Sequence, residues 1–190
     1  MHEDAMSRLL ILNHNGASVP ELIARVRETG VSFEVIEPDK VGRSSSQGFD
    51  GVIASGGYLR AETYKMELQA YSEFFEDLDR PFLGICLGLK ILGHVYGARM
   101  RRISPAVGTY TVLFQREYPL APGVEECQVY QGHKYELLLP LPDTLENYAR
   151  NGSPVQAVKV KGADRFGLQF HPELSPEPAR AIIQNFVSIC

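Results

Sequence analysis

The sequence predicts an α/β protein: one domain over residues 1–190, with a mostly parallel central sheet, helices on both faces, and a β-rich, partly antiparallel extension. Three observations lead there. Short apolar runs without alternation, LLIL, GVIA, PFLGI and FGLQF, read as strands buried on both faces. Segments of helical period separate the earlier runs, which demands crossover connections and therefore parallel pairing. From about Arg99 to Val160, alternating runs are instead divided by proline and glycine with no helix between them.

Leu9 to Asn13 is the first strand, ending in the polar loop Asn13, His14, Asn15 and Gly16, where His14 is a candidate site residue. Ser18 then reads as a helix cap, with Glu21 completing a capping box and Pro20 tolerated in the first turn. Val19, Leu22, Ile23 and Val26 form the inner stripe of that helix, and Gly30 ends it. Phe33 to Glu37 is the second strand, and Pro38 to Phe49, with SSSQG, is a surface loop. Gly51 to Ala54 is a buried strand that runs into Ser55, Gly56 and Gly57, where backbone amides can face a ligand. From about Ala61 to Leu78, Tyr64, Leu68, Tyr71, Phe75 and Leu78 recur at helical spacing as a core stripe.

The next stretch, RPFLGICLGLKILGHVYGA, carries the chemistry. A strand ends at Ile85, the chain turns at Cys86 and a helix leaves from Leu87, which is a nucleophile elbow. Gly84 and Gly88 flank it because a Cβ on either would collide with backbone. The thiol is thereby set at a helix N-terminus, which favours thiolate. Beyond the elbow helix, Thr109 to Phe114, Cys127 to Tyr130 and Val155 to Val160 are β-rich. Gly132, His133, Lys134, Tyr135 and Glu136 read as a polar cluster just past a strand. Phe166 to Phe170 delivers His171, Pro172 and Glu173 at a strand end, and Ser175 and Pro176 start a closing helix with Ala179, Ile182, Ile183 and Phe186 inward.

Composition narrows the classes of function. With 19 basic and 23 acidic residues and no block of like charge, neither a nucleic-acid track nor a polybasic membrane patch is expected. No apolar run approaches a membrane span and the start lacks a signal peptide's layout, so a cytoplasmic location is expected. The three cysteines, Cys86, Cys127 and Cys190, form neither an even disulfide framework nor a metal pattern.

In a parallel sheet the carboxyl ends of the strands share one edge, so Cys86 and His171 can meet there. His171 would take the thiol proton and later give it to a leaving amine, with Glu173 orienting the imidazole. The Leu87 amide supplies one oxyanion donor and Gly57 a second. These residues predict thiol-based hydrolysis or transfer at an amide or ester carbonyl, a reaction that calls for no metal and no organic cofactor.

GICLG at Gly84 to Gly88, GLQFHPE at Gly167 to Glu173 and SGG at Ser55 to Gly57, in this order and spacing, together resemble the class I glutamine amidotransferase family, whose fold is flavodoxin-like. The resemblance implies hydrolysis of glutamine to glutamate and ammonia through a thioester on Cys86. His171 would be the base, Glu173 the orienting acid, and Gly57 with Leu87 the oxyanion hole; Gly56, Lys90, His133, Lys134 and Tyr135 would meet the substrate. The length and the GHKYELL segment are most similar to the glutaminase part of GMP synthases. The chain carries no ATP pyrophosphatase portion, so a synthase accepting the ammonia would be another chain. Four positions depart from the family pattern. Lys90 stands where relatives carry glutamine, one helical turn from Cys86, where its ammonium would bind the substrate's α-carboxylate or depress the thiol pKa. Tyr58 replaces a proline, and Lys134 and Tyr135 replace a small residue and an acid or aromatic. Two alternatives stay open: a stand-alone γ-glutamyl hydrolase or peptidase, and a catalytically weak regulatory or binding subunit.

Overall fold

The computed structural model describes residues 7–58 and 64–190. One nine-stranded sheet runs through it. Its parallel half comprises β1 (Arg8–Leu12), β2 (Ser32–Ile36), β3 (Gly51–Ala54), β4 (Phe82–Ile85) and β9 (Arg165–Leu168). The other half is antiparallel: β5 (Met100–Phe114), β6 (Glu126–Leu137), β7 (Leu145–Arg150) and β8 (Ala157–Val160). The spatial order is β2-β1-β3-β4-β9-β8-β7-β5-β6, so β9 joins the halves, parallel to β4 and antiparallel to β8.

The strand alternation in β1 explains the layering. Leu9 and Ile11 point to one face, where α1 (Val19–Glu28) contributes Leu22 and Val26, and α4 (Ala181–Val187) contributes Ile182, Ile183 and Phe186. Leu10 and Leu12 point to the other, covered by Tyr71, Phe74 and Phe75 of α2 (Tyr64–Glu76) and by Leu89 and Leu92 of α3 (Leu87–Val95). A strand buried on both sides has no polar face to alternate, which is why these runs are continuously apolar. The parallel half with helices on both faces and the antiparallel region after α3 are as expected, but the two form one mixed sheet, joined by β9, rather than a mostly parallel sheet with an extension. Of the aromatic stripe, Leu68, Tyr71, Phe75 and Leu78 are buried. The stretch 61–63 and the Tyr64 side chain lie outside the described residues.

Several local expectations are corrected. Ser18 makes no side-chain cap hydrogen bond with α1, although its carbonyl accepts the Leu22 amide at 3.0 Å. The cluster from Gly132 to Glu136 is not a segment past a strand but part of β6, paired with β5 on both sides of a register shift between Arg102 and Ala106. Pro105 and Gly108 of β5 read as turn residues, yet Pro105 sits in that bulge, where a missing amide interrupts no ladder. Strand β7 gives no signal in the sequence because LENYAR is too polar. Ser175 and Pro176 do not start the last helix. Pro172–Leu174 forms a 3-10 turn, and α4 begins at Ala181.

His14 is fully buried rather than part of a cleft, and it clamps the loop after β3. Its Nδ1 donates to Ser55 O at 3.0 Å, its Nε2 accepts from the Tyr71 hydroxyl at 2.5 Å, and its carbonyl accepts the Tyr58 amide at 3.0 Å. Burial, partly offset by the Ser55 bond, lowers its pKa to about 4. An unfolded chain takes up this proton near the ordinary value of about 6.5 while the folded chain refuses it, so the stabilisation is complete above that pH and is lost as pH falls toward 4. The expected loss is about 3 kcal/mol. Urea unfolding between pH 7 and 4 measures it: a His14→Gln variant should show a shallower decline than the parent, and parallel curves would contradict the assignment.

Candidate active site

The site is built at the carboxyl edge of β4, β9 and β3. At the end of β4 the chain turns at Cys86, which has φ 51° and ψ −92°, and α3 begins at the next residue. A side chain rarely adopts such a backbone, so the turn is a stored strain of about 1–3 kcal/mol that the surroundings must hold. They do so by close packing. A Cβ on Gly84 would lie 2.4 Å from the carbonyl carbon of Gly88, and one on Gly88 would lie 2.5 Å from the oxygen of Ala54. The Cys86 amide donates to Leu168 O at 2.7 Å, which ties the elbow to β9. As the first residue of α3, Leu87 has an amide with no acceptor in its own helix. Neither it nor the Gly57 amide, at φ 146°, has a protein acceptor among the described residues.

The neighbouring strand β9 carries the chain to His171. Its backbone is pinned from both sides: the amide donates to Tyr130 O at 2.9 Å, and the carbonyl accepts the Ser175 hydroxyl at 2.6 Å. Ser175 in turn accepts the Tyr130 amide at 3.0 Å, so this serine braces the histidine rather than a helix. The ring Nδ1 donates to Glu173 Oε1 at 2.8 Å, and both side chains are buried. Gly56 backs the ring, since a Cβ there would stand 2.6 Å from His171 Cε1 and 3.5 Å from Cys86 Cβ.

The electrostatics favour a charged pair. Burial opposes the His171 imidazolium, but its hydrogen bonds with Cys86 and Glu173, and their charges, outweigh that and raise its pKa to about 10. Burial likewise opposes the Cys86 thiolate. The Lys90 ammonium, followed by the hydrogen bond and charge of His171, nevertheless holds the thiol below its ordinary value against the charge of Glu173. The arrangement can keep a thiolate beside an imidazolium, the reactive form for attack on a carbonyl.

Lys90 does not point to solvent. It is 7% exposed, and its Nζ donates to Gln169 Oε1 at 2.6 Å. The pairing follows from two periodicities. Lys90 is one turn past Cys86 on α3, Gln169 is two residues before His171, and β4 and β9 are adjacent. Gln169, the partner of Lys90, is absent from the sequence expectations although it lies within GLQFHPE; counting back by two from His171 finds it. Burial lowers the Lys90 pKa to about 8, against the charges of Cys86 and Glu136.

A cleft of about 780 Å³ opens over Cys86, lined by Gly57, Leu87, Lys90 and Gly132 through Tyr135, with Tyr58 among the apolar residues of its wall. His133 is buried, its Nδ1 donating to Tyr135 O at 3.1 Å and its Nε2 lying 3.0 Å from the side-chain amide of Gln131. Burial and then the charge of Lys90 lower its pKa to about 4, so it is neutral near pH 7. Lys134 and Tyr135 are exposed at the rim. Of the expected substrate-contacting residues only Gly56 is missing from the lining, because it packs against His171 instead. Among the described residues no group of three or more His, Cys, Asp or Glu is arranged to hold a metal ion, and no helix is long and apolar enough to cross a membrane.

The family model described as glutamine amidotransferase class-I matches residues 11–190. The chain belongs to the class I glutamine amidotransferase family. Among curated members it is 30% identical over 173 residues to a subunit of the glutamine-hydrolyzing GMP synthase of Saccharolobus solfataricus, covering 89% of this chain and 91% of that one. It is 34% identical over 180 residues to a glutamine-hydrolyzing GMP synthase of Phenylobacterium zucineum, covering 90% of this chain but 34% of that longer protein. The crystal structure of a GMP synthase subunit from Thermoplasma acidophilum superposes with a TM-score of 0.88 at 26% identity, over 97% of this chain and 94% of that one. The class I amidotransferase fold expected from the sequence is therefore the fold observed.

Proposed function

We propose that this chain hydrolyses the side-chain amide of glutamine through a thioester on Cys86 and supplies ammonia to a separate synthase chain, with a GMP synthase partner of the ATP pyrophosphatase type as first candidate. The observation that carries the reading is the convergence, at one sheet edge beneath the cleft, of the strained Cys86 elbow with the buried His171–Glu173 pair. Relatives of similar length, named as one subunit of a GMP synthase, support the separate acceptor.

In the proposed cycle the Cys86 thiolate attacks the amide carbon, and the oxyanion that forms is held by the amides of Leu87 and Gly57. His171 gives its proton to the departing nitrogen, ammonia leaves, and a γ-glutamyl thioester remains on Cys86. His171, now neutral, takes a proton from water as the water attacks the thioester. Glutamate departs and the thiolate–imidazolium pair is restored, with Glu173 orienting the imidazole throughout. Lys90, His133, Lys134 and Tyr135 face the rest of the substrate. Purified chain should release glutamate from glutamine, faster when the synthase chain is added; no release under either condition would overturn the reading. The cleft volume, which suits ligands larger than one amino acid, favours γ-glutamyl peptides as a second substrate class, and the same assay run on them tests it.

Lys90 gives this site its own pH signature. Its ammonium is placed to bind the substrate's α-carboxylate, and deprotonation near pH 8 withdraws that binding, so kcat/KM for glutamine should decline above pH 8 in the parent. Lys90→Gln should remove that limb, leaving the rate level until His171 deprotonates near pH 10, and should raise KM about tenfold with a smaller effect on kcat. Superimposable pH profiles would remove Lys90 from the site's chemistry.

A further inference from the structure

Ser18 spends its hydroxyl neither on the helix it precedes nor on solvent. It is buried, and its Oγ donates to Glu173 Oε1 at 2.8 Å while lying 3.2 Å from His171 Nδ1. Its backbone is fixed independently of these contacts, because its carbonyl accepts the first helical bond of α1 and the Val19 amide next to it donates to Gly16 O at 3.1 Å. The helix thus holds the residue and leaves the hydroxyl to serve the far end of the chain.

We propose that Ser18 is a positioning residue for the Cys86–His171 pair: its hydroxyl holds the Glu173 carboxylate in the orientation that faces His171 Nδ1. The proposal rests on the reading that Cys86 and His171 perform the chemistry. Two asymmetries carry it. Glu173 Oε1 receives both donors, Ser18 Oγ and His171 Nδ1, each at 2.8 Å, whereas Oε2 is buried with no hydrogen-bond partner among the described residues. A carboxylate turns easily about its terminal torsion, and either oxygen can accept. A single donor at Oε1 would leave the group free to turn about that contact; the second donor, arriving at the same oxygen from Ser18, restrains it. The second asymmetry lies in His171. Tyr130 and Ser175 hold its backbone, and the Tyr130 ring meets the imidazole edge-on with centroids 6.5 Å apart; beyond that contact the plane of the ring is set by Glu173 and Ser18 at Nδ1, by Gly56 at its edge and by the thiol. Without the hydroxyl the imidazolium loses part of both its orientation and its stabilisation.

The test compares Ser18→Ala and Ser18→Thr with the parent chain in two assays: glutamine hydrolysis, and the pH dependence of Cys86 alkylation by iodoacetamide, which needs no substrate. Ser18→Ala should lower kcat about tenfold with KM within about twofold, and should narrow from both ends the pH range over which the thiolate–imidazolium pair persists. Ser18→Thr, which keeps the hydroxyl, should stay within about threefold of the parent in kcat and retain its alkylation profile. An unchanged kcat and profile in Ser18→Ala would overturn the proposal, as would a Ser18→Thr chain impaired as much as Ser18→Ala, since that pattern marks packing alone. Should Ser18→Ala fail to fold, Ser18→Gly, well tolerated before a helix, takes its place under the same criteria. If even the parent hydrolyses no glutamine, the glutaminase reading falls, while the alkylation profiles still decide the role of Ser18.

Discussion

Cys86→Ala is expected to abolish glutamine hydrolysis, by about 10⁴-fold or more, with melting temperature close to that of the parent. The two halves of this result have separate causes. Activity disappears because no other group at the carboxyl edge of β4 can form the thioester; Cys127 and Cys190 belong to β6 and the chain end, and burial pushes both thiols up, to about 11 and about 12. Folding persists because the turn at residue 86 is imposed by its neighbours, Gly84 against Gly88 and Gly88 against Ala54, and alanine meets the same backbone strain as cysteine. Loss of the thiolate also removes a buried charge. A variant with residual turnover near the parental rate would exclude Cys86 as the nucleophile, and thermal unfolding beside the activity assay separates that outcome from misfolding.

Gly56→Ala is expected to cost about 10²-fold in kcat/KM through a single methyl group that touches no substrate. The added Cβ would fall 2.6 Å from His171 Cε1, so the ring must move by several tenths of an ångström or more. It has little freedom to do so, with Nδ1 committed to Glu173 and Ser18 and the backbone committed to Tyr130 and Ser175. Any shift therefore misaligns the imidazole with the thiol or breaks its bond to the carboxylate, and overpacking should also lower stability by about 1–3 kcal/mol. Gly132→Ala is the internal control. That residue lines the same cleft, but its Cβ would meet only Tyr130 Cε1 at an ordinary 3.7 Å, and kcat/KM should change little. Equal effects at the two glycines would contradict the proposed crowding of His171.

The parts legible in the sequence are those where geometry forces composition. Backbone crossing at the elbow leaves room only for glycine at 84 and 88, and strands covered by helices on both faces must be apolar throughout. His171 and Glu173 are legible because a parallel strand ending beside the elbow can only deliver its next residues to the same edge. What escapes is set by partners distant along the chain. Nothing local distinguishes a serine that caps a helix from one whose hydroxyl reaches a carboxylate 155 residues away, and Ser18 before Pro20 and Glu21 matches the capping pattern fully. The cluster from Gly132 to Glu136 reads as lying just past a strand because it is polar. It is polar because β6 faces the cleft on one side, with His133 buried, and opens to solvent at Lys134 and Tyr135. The Lys90–Gln169 pair arises between two elements 79 residues apart.

The central claim is that glutamine passes through a covalent bond to Cys86, and rapid acid quench of the chain during turnover, followed by peptide mass spectrometry, tests it most directly. A γ-glutamyl group on the peptide bearing Cys86, absent when glutamine is omitted and absent in Cys86→Ala, is the predicted result. Glutamate release with no adduct on Cys86, or with the adduct on Cys127 or Cys190, would contradict it.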